Sequence, residues 1–324
     1  MAGVAVTTVS RVINQDPKVA QDTRARVEAA IAELHYQPNP HAGILRRRGR
    51  TKMLGLLVGN VANPFSASLH RAVEDVARPH RVGVFASSLD DDPTREREAV
   101  EAFLSRRVDG LILTTIGTDH TYLEREIERG TPIVFVDRRP AGIVADTVLS
   151  DNYEGARAAV AHLAAHGHRR IAFLGDSELI YTARERRRGY LDECRERDLE
   201  ATADLVVTGL GDDAAAARAV SRLLDTPNPP TAVFSAQNLI TIGAIAALRA
   251  AGAGRAIALV GFDDIPMAEH LALPVTVVAQ DPSAIGRRAA EIVFARLEGD
   301  SSAATEIVVP TRLIARGSGE ISPA

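Results

Sequence analysis

Short apolar runs alternate with longer helix-like stretches from Met53 onward, and this alternation limits the possible folds more than any other feature. The runs with the composition of buried strands are residues 53–58, 82–86, 110–114, 132–136, 170–174, 205–207, 231–235, 256–261, 275–278 and 307–309. The stretches with helical length and polarity are residues 66–77, 94–105, 119–129, 153–166, 182–197, 214–224, 239–251 and 282–297. Such alternation is typical of parallel sheets covered by helices on both faces. Because one set precedes about residue 150 and a second follows it, we predict two similar lobes, with a ligand cleft beyond the carboxyl ends of the strands.

The first 52 residues differ from this body in their charge. They contain nine Lys or Arg and four Asp or Glu, a net charge of +5, and since the whole chain carries −4, the remainder carries −9. Five of the basic residues lie between Arg46 and Lys52, after Pro38 and Pro40, which prevent a helix from continuing. A basic arm on an acidic body predicts contact with a polyanion, although a solvated linker would have the same composition.

Two short amphipathic helices are predicted within this basic segment. Residues 6–14 repeat apolar side chains at helical spacing, and so does a second stretch that begins at Asp22 or Thr23. Either of these two residues could cap the second helix. The apolar faces consist of Val9, Val12 and Ile13 in the first helix and of Val27, Ile31 and Leu34 in the second.

The composition excludes several other classes of protein. Cys194 is the single cysteine, so no intrachain disulfide can form. The sequence has neither an apolar run near the roughly 18 residues of a membrane span nor the pattern of a signal peptide, and we expect a cytoplasmic protein. His162 and His166 are spaced like metal ligands, but no His-Glu-x-x-His motif accompanies them, and we expect neither a metal nor a cofactor. The three aspartates at 90–92 lack the spacing of a calcium loop and are expected to form a solvated turn.

Two groups of short motifs stand in a fixed order along the chain. The first group is residues 2–4, residues 8–14, Thr23-Arg24, Val27, Ala30, Leu34, Tyr36, Pro38-Asn39, Ala42, Leu45 and Arg50-Thr51. The second group is Asn63-Pro64-Phe65, Asp151-Asn152, Gly155-Ala156, His162-Leu163, residues 167–172, Arg186, Gly189-Tyr190 and residues 261–264. With these motifs in this order, the whole chain resembles the lactose/galactose/purine repressor family of bacterial transcription regulators.

The resemblance implies a particular α/β architecture. It consists of a partial helix-turn-helix head and a two-lobed core, similar to periplasmic binding proteins, that is built from doubly wound parallel sheets. The implied parts are the head at residues 1–38, a hinge helix and linker at 39–52, and a core for effector binding and dimerisation at 53–324. Lobe 1 is expected at about 53–150 and 281–310, and lobe 2 at about 151–280 and 311–324.

Members of the family begin with a helix that packs across the other two helices of the head. In this chain Met1 stands directly before the turn, so the resemblance implies that the first helix is missing. The apolar faces of the two remaining helices would then lose part of their cover. We therefore expect residues 1–36 to fold poorly and to bind operator DNA weakly.

The resemblance assigns DNA contacts to the first predicted helix. Val6, Thr7 and Arg11 hold the base-reading positions of the recognition helix. Arg11 could form paired hydrogen bonds with guanine, and Val6 or Thr7 could contact a thymine methyl group. A phosphate contact is an equally open interpretation of Arg11. Thr8 and Ser10 are expected to bond phosphates.

Further DNA contacts are implied for the segment that joins head and core. Leu45 holds the position at which paired leucines from two subunits enter the minor groove and kink the duplex. From the sequence alone, Leu45 would be an ordinary small-core residue. Asn39 and Arg48 complete the implied DNA contacts, and Gly43 weakens the hinge helix, as expected for a segment that becomes ordered on DNA.

The effector site implied by the resemblance is polar. The matching residues are Phe65, Asp137, Arg186, Asp263 and Gln280. Carboxylate, guanidinium and amide groups can each make paired hydrogen bonds with vicinal hydroxyls, which suits a sugar or related polyol, and Phe65 could stack on a ring. The two aspartates could instead cap loops at strand ends. The family often has Asn-Asp where this chain has residues 237–238, Gln-Asn, which leaves the effector class open.

Together these features predict a DNA-binding repressor that acts as a homodimer, or as a tetramer, on a pseudo-palindromic double-stranded operator. A small polar effector, a sugar or a related compound, would control operator affinity. The alternative is a sugar-binding protein without DNA function, against which the basic head and the lack of an export signal argue. An enzyme is not expected, because the sequence offers no recognisable pairing of a nucleophile with a base.

Overall fold

The computed structural model describes residues 2–13, 16–34 and 50–323. The chain divides into an N-terminal unit, Met1–Thr51, and a main unit, Lys52–Ala324. No helix within the described ranges is both long and apolar enough to cross a lipid bilayer.

The described part of the N-terminal unit contains two helices that contact each other, α1 (Val6–Ile13) and α2 (Gln21–Glu33). Both lie where the apolar spacing predicts helices. Val12 and Val27 are buried and three other residues of the predicted apolar faces are half-buried, but Leu34 is 65% exposed. Leu34 follows the last turn of α2 as its C-cap, so its assignment to the apolar face was wrong.

The start of α2 also differs from the prediction. The helix begins at Gln21, and Ala20 before it makes no side-chain capping hydrogen bond. Asp22 and Thr23 lie within the first turn instead of capping the helix. The prediction failed because an aspartate is favourable both at the cap and in the first turn, where its carboxylate interacts with the positive end of the helix dipole.

The described part of the main unit contains two six-stranded sheets. In the first half of the chain the elements are β1 (Met53–Val58), α3 (Pro64–Ala77), β2 (Gly83–Ser88), α4 (Pro93–Ser105), β3 (Gly110–Leu113), α5 (Glu124–Glu128), β4 (Ile133–Val136) and β5 (Asp146–Ser150). In the second half they are α6 (Asn152–Ala165), β6 (Ile171–Leu174), α7 (Tyr181–Glu196), β7 (Val206–Val207), α8 (Asp213–Leu224), β8 (Ala232–Ser235), α9 (Asn238–Ala250), β9 (Ala258–Phe262), β10 (Thr276–Ala279), α10 (Pro282–Glu298), β11 (Glu306–Val309) and β12 (Arg312–Ile314).

The two sheets have the same strand order. Sheet 1 is β11-β5-β4-β3-β1-β2 and sheet 2 is β12-β10-β9-β8-β6-β7. All the pairings are parallel except that of β12 with β10. Strands β4 and β9 are therefore equivalent, as are β5 and β10. The predicted α/β architecture with two parallel sheets is confirmed.

Three connections pass from one sheet to the other. After β5 of sheet 1 the chain enters α6, which packs on α7 and against sheet 2. After β10 of sheet 2 it enters α10, which packs on α3 and against sheet 1. The third connection joins β11 to β12. We call sheet 1 with α3, α4, α5 and α10 the first lobe, and sheet 2 with α6–α9 the second lobe.

The first lobe buries one core cluster under the pair of helices α3 and α10. Leu69 and Val73 of α3 lie in the same cluster as Ile285 and Val293 of α10. The helices approach closely at Gly286, where an added Cβ atom would lie 2.5 Å from the carbonyl oxygen of Leu69. Glycine is required at this position because a contact of that length with backbone cannot be relieved by a side-chain rotation.

Three elements differ from the prediction. Strands β5 and β12 lie outside the predicted runs, and the predicted helix at residues 119–129 is a 3₁₀ turn, Thr121–Leu123, followed by the short helix α5. Strand β5 begins with Asp146, whose two carboxylate oxygens accept hydrogen bonds from Arg296 at 2.8 and 2.9 Å. This partner lies on α10, far away in the sequence, so local composition gave no sign that a charged residue would start a buried strand.

Candidate functional site

A cavity of about 610 Å³, lined by both polar and apolar residues, lies between the two lobes, at the carboxyl ends of their strands. Its walls include the five residues predicted to bind an effector, which are Phe65, Asp137, Arg186, Asp263 and Gln280. They come from both lobes and from positions that are far apart in the sequence. The fold therefore brings the whole predicted set together around one space.

Asp137 and Asp263 occupy equivalent positions in the two sheets. Asp137 directly follows β4 with φ = 67°, and Asp263 directly follows β9 with φ = 70°. The backbone N–H of each donates at 2.9 Å to the neighbouring strand, to Val148 and Val278 respectively. Aspartate tolerates this left-handed conformation better than most residues. Neither carboxylate accepts a backbone N–H within the described residues, so these hydrogen bonds give no support to the loop-capping interpretation.

Arg186 is held at the second-lobe side of the cavity. Its Nε donates to Oδ1 of Asn152 at 2.7 Å, and Nη1 donates to the carbonyl oxygen of Ala236 at 2.8 Å. Its guanidinium carbon lies 3.9 Å from the ring centre of Phe262, and Nη1 lies 3.9 Å from Oδ2 of Asp263. Burial lowers the pKa of Arg186, and the nearby carboxylate of Asp263 opposes that effect.

Three buried polar atoms of residues that line the cavity have no hydrogen-bond partner within the described structure. They are Oδ1 of Asp137, Nε of Arg138 and Oε1 of Gln280. The amide nitrogen of Gln280 donates to Asp263, which leaves its oxygen as a free acceptor. Burial raises the pKa of Asp137, and Arg138 opposes that effect. Buried groups of this kind are normally satisfied, so a ligand with matching polar groups would complete these hydrogen bonds.

Among the charged groups in the cavity wall, Arg138 and Asp176 were missed by the sequence analysis, and Asp90 and Asp91 were predicted only as part of a solvated turn. Arg138 donates through Nη1 to Oδ1 of Asp91 at 2.7 Å and to the carbonyl oxygen of Thr115 at 3.3 Å. Asp176 follows the end of β6, and its carboxylate accepts the N–H of Ser177 at 2.6 Å. The predicted turn at residues 90–92 is present, but Asp91 is a partner of Arg138 and not simply solvated. A usable signal was available, because both missed residues lie just beyond the carboxyl end of a strand.

The lobes are joined across the cavity by a pair of amide side chains. Nδ2 of Asn238, in the first turn of α9, donates to Oδ1 of Asn63 at 2.8 Å. Asn63 also caps α3, since its Oδ1 accepts the N–H of Phe65 at 3.0 Å. Gln237 caps α9 by accepting the N–H groups of Leu239 and Ile240. The residues Gln237 and Asn238 that depart from the family pattern thus form a cap and a bridge between the lobes.

The loop after β3, which forms part of the cavity wall, is anchored by a buried pair of side chains. His120 accepts the N–H of Ala141 at its Nδ1, so its Nε2 donates to Oε1 of Glu96 at 3.0 Å. Oε2 of Glu96 accepts the N–H groups of Ile116 and Gly117 at 2.6 and 2.9 Å. Burial opposes ionisation, but the hydrogen bonds from His120 and from these two N–H groups lower the pKa of Glu96.

The histidines considered as metal ligands have other partners. His162 pairs with Glu320 at 2.5 Å, and Nδ1 of His166 donates a hydrogen bond to the carbonyl oxygen of His162 at 2.9 Å. His162 therefore contributes to the contacts that hold the C-terminal segment on the second lobe, whereas the contact of His166 lies at the end of α6. Across the described residues, no group of three or more His, Cys, Asp or Glu side chains could hold a metal ion.

The predicted DNA-contacting residues of the head lie on α1. Val6 is 82% exposed, and Thr7 and Arg11 are also exposed, whereas Thr8 and Ser10 are half-buried. The apolar side chain of Val6, at the start of α1, is therefore exposed to water, as are the polar side chain of Thr7 and the basic side chain of Arg11. The three other predicted DNA contacts, Asn39, Leu45 and Arg48, lie outside the described residues.

Comparison with known proteins finds two matching families. The family described as "Bacterial regulatory proteins, lacI family" matches residues 1–39, and the family described as "Periplasmic binding protein-like domain" matches residues 160–319. The HTH-type transcriptional regulator PtxS of Pseudomonas aeruginosa is 33% identical over 331 residues, which cover 98% of this chain and 93% of that protein.

Two solved structures resemble the chain over almost its whole length. The lac repressor dimer bound to operator and the anti-inducer ONPF has a TM-score of 0.85 with 26% identity, and the match covers 98% of this chain and 96% of that one. The complex of the transcriptional regulator CelR with cellobiose has a TM-score of 0.74 with 30% identity, covering 98% and 97%. Each similarity extends over both the basic N-terminal segment and the two-lobed unit.

Proposed function

Because the chain belongs to the lacI family of bacterial regulatory proteins, we propose that it is a repressor whose operator affinity is controlled by a small polar effector bound between the lobes. That it is a DNA-binding transcription regulator and not an enzyme follows from its relatives. We propose the class of the effector, the residues that bind it and the oligomeric state.

One observation carries the proposal of an effector site. Asp137 and Arg138 of the first lobe and Gln280 of the second line one cavity, and each has a buried polar atom without a hydrogen-bond partner in the described structure. Leaving a buried donor or acceptor unsatisfied costs about 1–3 kcal/mol each. A sugar or related polyol offers several hydroxyls, each of which can donate and accept, and Phe65 could lie against its ring. The similar regulator CelR is in complex with cellobiose, which supports the same class of ligand.

The operator is proposed to contact α1 and the segment that follows α2. Val6, Thr7 and Arg11 would face base edges in the major groove, because their side chains are exposed on one helix. Thr8 and Ser10 would bond phosphates. The residues proposed for the joining segment are Asn39, Leu45 and Arg48.

The proposed division of the chain follows from these roles. The head would comprise residues 1–38, the hinge and linker 39–52, and the effector-binding core 53–324. A homodimer is proposed because the similar lac repressor is a dimer bound to operator. Two heads in one dimer would read the two halves of a pseudo-palindromic site.

The proposal is tested by measuring ligand binding and DNA binding on the same protein. Sugars are screened by thermal shift, and the compound that stabilises the protein is then added to a gel-shift assay with DNA from upstream of its own gene. Arg186→Ala and Asp263→Ala should each weaken binding of that compound about ten- to a hundred-fold, because each removes a charged hydrogen-bonding group. Unchanged affinity in both variants would refute the assignment of the site. Failure to bind any DNA would favour the alternative, a sugar-binding protein without DNA function.

A further inference from the structure

The charged groups around the cavity are mostly acidic. The charged residues in its walls are Asp90, Asp91, Asp137, Asp176 and Asp263 on the negative side and Arg138 and Arg186 on the positive side. The described cavity wall includes neither lysine nor histidine. A ligand in the cleft is therefore surrounded by more negative charge than positive charge.

Both guanidinium groups already donate hydrogen bonds to the protein, although Nε of Arg138 has no hydrogen-bond partner in the described structure. Arg186 donates to Asn152 and Ala236 and faces Asp263. Arg138 donates at 2.7 Å to Asp91. A phosphate or carboxylate on a ligand would have to compete with these contacts, because a buried charged group that loses its partner is strongly destabilised.

The carboxylates of Asp137 and Asp176 accept no hydrogen bond from a cationic side chain among the described residues. Asp137 has a guanidinium contact with Nε of Arg138, at 3.8 Å, and the guanidinium of Arg138 also pairs with Asp91. The carboxylate of Asp176 accepts only the N–H of Ser177 among the hydrogen bonds of the described residues. Asp137 belongs to the first lobe and Asp176 to the second, so negative charge lies on both sides of the cleft.

Most of the buried atoms in the cavity-wall residues that lack a hydrogen-bond partner are acceptors. Oδ1 of Asp137 and Oε1 of Gln280 are acceptors in the ionised and amide forms, and Nε of Arg138 is the single donor of the three. The residue Asp137 is 8% exposed and Arg138 is 9% exposed. These buried atoms would be satisfied chiefly by hydrogen-bond donors of a ligand, such as hydroxyl or ammonium groups.

We infer that the cleft accepts a polyhydroxy compound without negative charge and rejects phosphorylated and carboxylated sugars. The inference rests on the proposed effector function of the same cavity. An anionic group in the cleft would face Asp137 or Asp176 and be repelled by their carboxylates. A hydroxyl or an ammonium group would instead donate to those oxygens.

The experiment compares sugars that share a carbon skeleton and differ in charge. Thermal shift and calorimetric titration of the full chain are carried out with D-glucose, D-glucosamine, D-glucose 6-phosphate and D-gluconate, and with D-ribose and D-ribose 5-phosphate. Cellobiose serves as a larger neutral probe. We expect binding within the neutral or amino group, with every anionic counterpart of a binding sugar at least about tenfold weaker.

Two isosteric substitutions test whether the carboxylates cause the discrimination. Asp137→Asn and Asp176→Asn, singly and together, remove negative charge, and asparagine tolerates the left-handed backbone of residue 137. The ratio of neutral to anionic affinity should fall in each single variant and most in the double variant. Asp198→Asn is the matched control: Asp198 also has a left-handed backbone, φ = 52°, but lies outside the cavity wall, and the ratio should not change.

The possible results separate this inference from the proposed function. If a phosphorylated or carboxylated sugar binds as well as its neutral counterpart and changes operator affinity, the regulator function stands and the charge selectivity is refuted. An affinity ratio that is the same in the wild type and in both single variants also refutes it. If no compound of any charge class binds, both the effector site and the inference fail. The wild-type comparison does not depend on the folding of any variant.

Discussion

Replacing Glu96 by glutamine tests how the wall of the cavity is held in place. Glu96 is 2% exposed and His120 is fully buried. The carboxylate accepts hydrogen bonds from His120, from the Thr115 hydroxyl and from the N–H groups of Ile116 and Gly117. Glutamine has nearly the same shape, but it replaces one acceptor oxygen by an NH₂ group and removes the charge.

The expected loss of stability follows from these contacts. If the amide oxygen of the introduced glutamine keeps the two backbone N–H bonds, its NH₂ group faces Nε2 of His120, which is itself a donor. One charge-assisted bond, worth about 1.5–3 kcal/mol, is then lost, and a buried donor remains unsatisfied. We expect Glu96→Gln to reduce the free energy of unfolding by roughly 2–4 kcal/mol. Since the loop after β3 lines the cavity, ligand affinity should also fall.

The pH dependence of stability gives a second, independent measurement. The pKa of Glu96 in the folded protein is lowered from its ordinary value of 4.5, despite the opposing effect of burial, by hydrogen bonds from His120 and the backbone. Its ionised form therefore stabilises the fold fully above about pH 4.5, and this contribution is lost as pH falls through the lowered pKa of the folded state. Urea unfolding between pH 7 and the acid limit should show a steeper decline for the wild type than for Glu96→Gln.

Glu101 on the same helix provides the matched control. It is an exposed residue that pairs with Arg97 at 3.5 Å, and pairs of this kind contribute about 0.3–0.5 kcal/mol. Glu101→Gln should therefore leave both stability and its pH dependence almost unchanged. Equal stability of Glu96→Gln and Glu101→Gln at pH 7 would refute the reasoning, because the buried contacts of Glu96 would then contribute no more than a surface pair.

Two further predictions concern the packing of the first lobe and the reading of DNA. Gly286→Ala should lower stability by roughly 1–2 kcal/mol in urea unfolding, because its Cβ would lie 2.5 Å from a backbone oxygen and the resulting overpacking exceeds the gain in helix propensity. Gly254→Ala, where no atom lies within 4 Å of the added Cβ, should not be destabilising, and an equal loss in both would contradict this account. Arg11→Ala should weaken operator binding and relax its sequence discrimination, whereas Arg48→Ala should weaken binding to all sequences alike. Gel shifts with matched and altered operators distinguish the two, and equal, sequence-independent losses would make Arg11 a phosphate contact.

The alternation of apolar and helical stretches was enough to predict most of the main unit, because each buried strand needs an apolar run of its own. The exceptions have partners elsewhere in the chain. Strand β5 begins with a charged residue that is satisfied by Arg296 on α10. The predicted helix at residues 119–129 is replaced by a 3₁₀ turn and a short helix that begin only after His120, whose side chain turns inward to Glu96. Neither contact can be recognised from the spacing of apolar residues in the nearby sequence.

The candidate site could be predicted in part for a similar reason. The residues implied by the family resemblance line one cavity, since the fold places equivalent strand ends around it. Arg138 and Asp176 were not identified, although both lie just beyond the carboxyl end of a strand, and the Asn63–Asn238 pair was not identified either. Their importance depends on which strand ends face each other between the lobes, and that relation is set by the three connections and not by any local pattern.

The return of the chain from the second lobe to the first has a consequence for how the protein is made. Sheet 1 acquires five of its strands by Ser150, but α10 and β11, which cover its face and its edge, are synthesised after the second lobe is nearly complete. The apolar surface of α3, which includes Leu69 and Val73, therefore stays uncovered until α10 has been synthesised. Contacts between residues so far apart in sequence form slowly. Because β12 completes sheet 2 later still, we expect both lobes to reach their native packing only after the C-terminal residues have been synthesised.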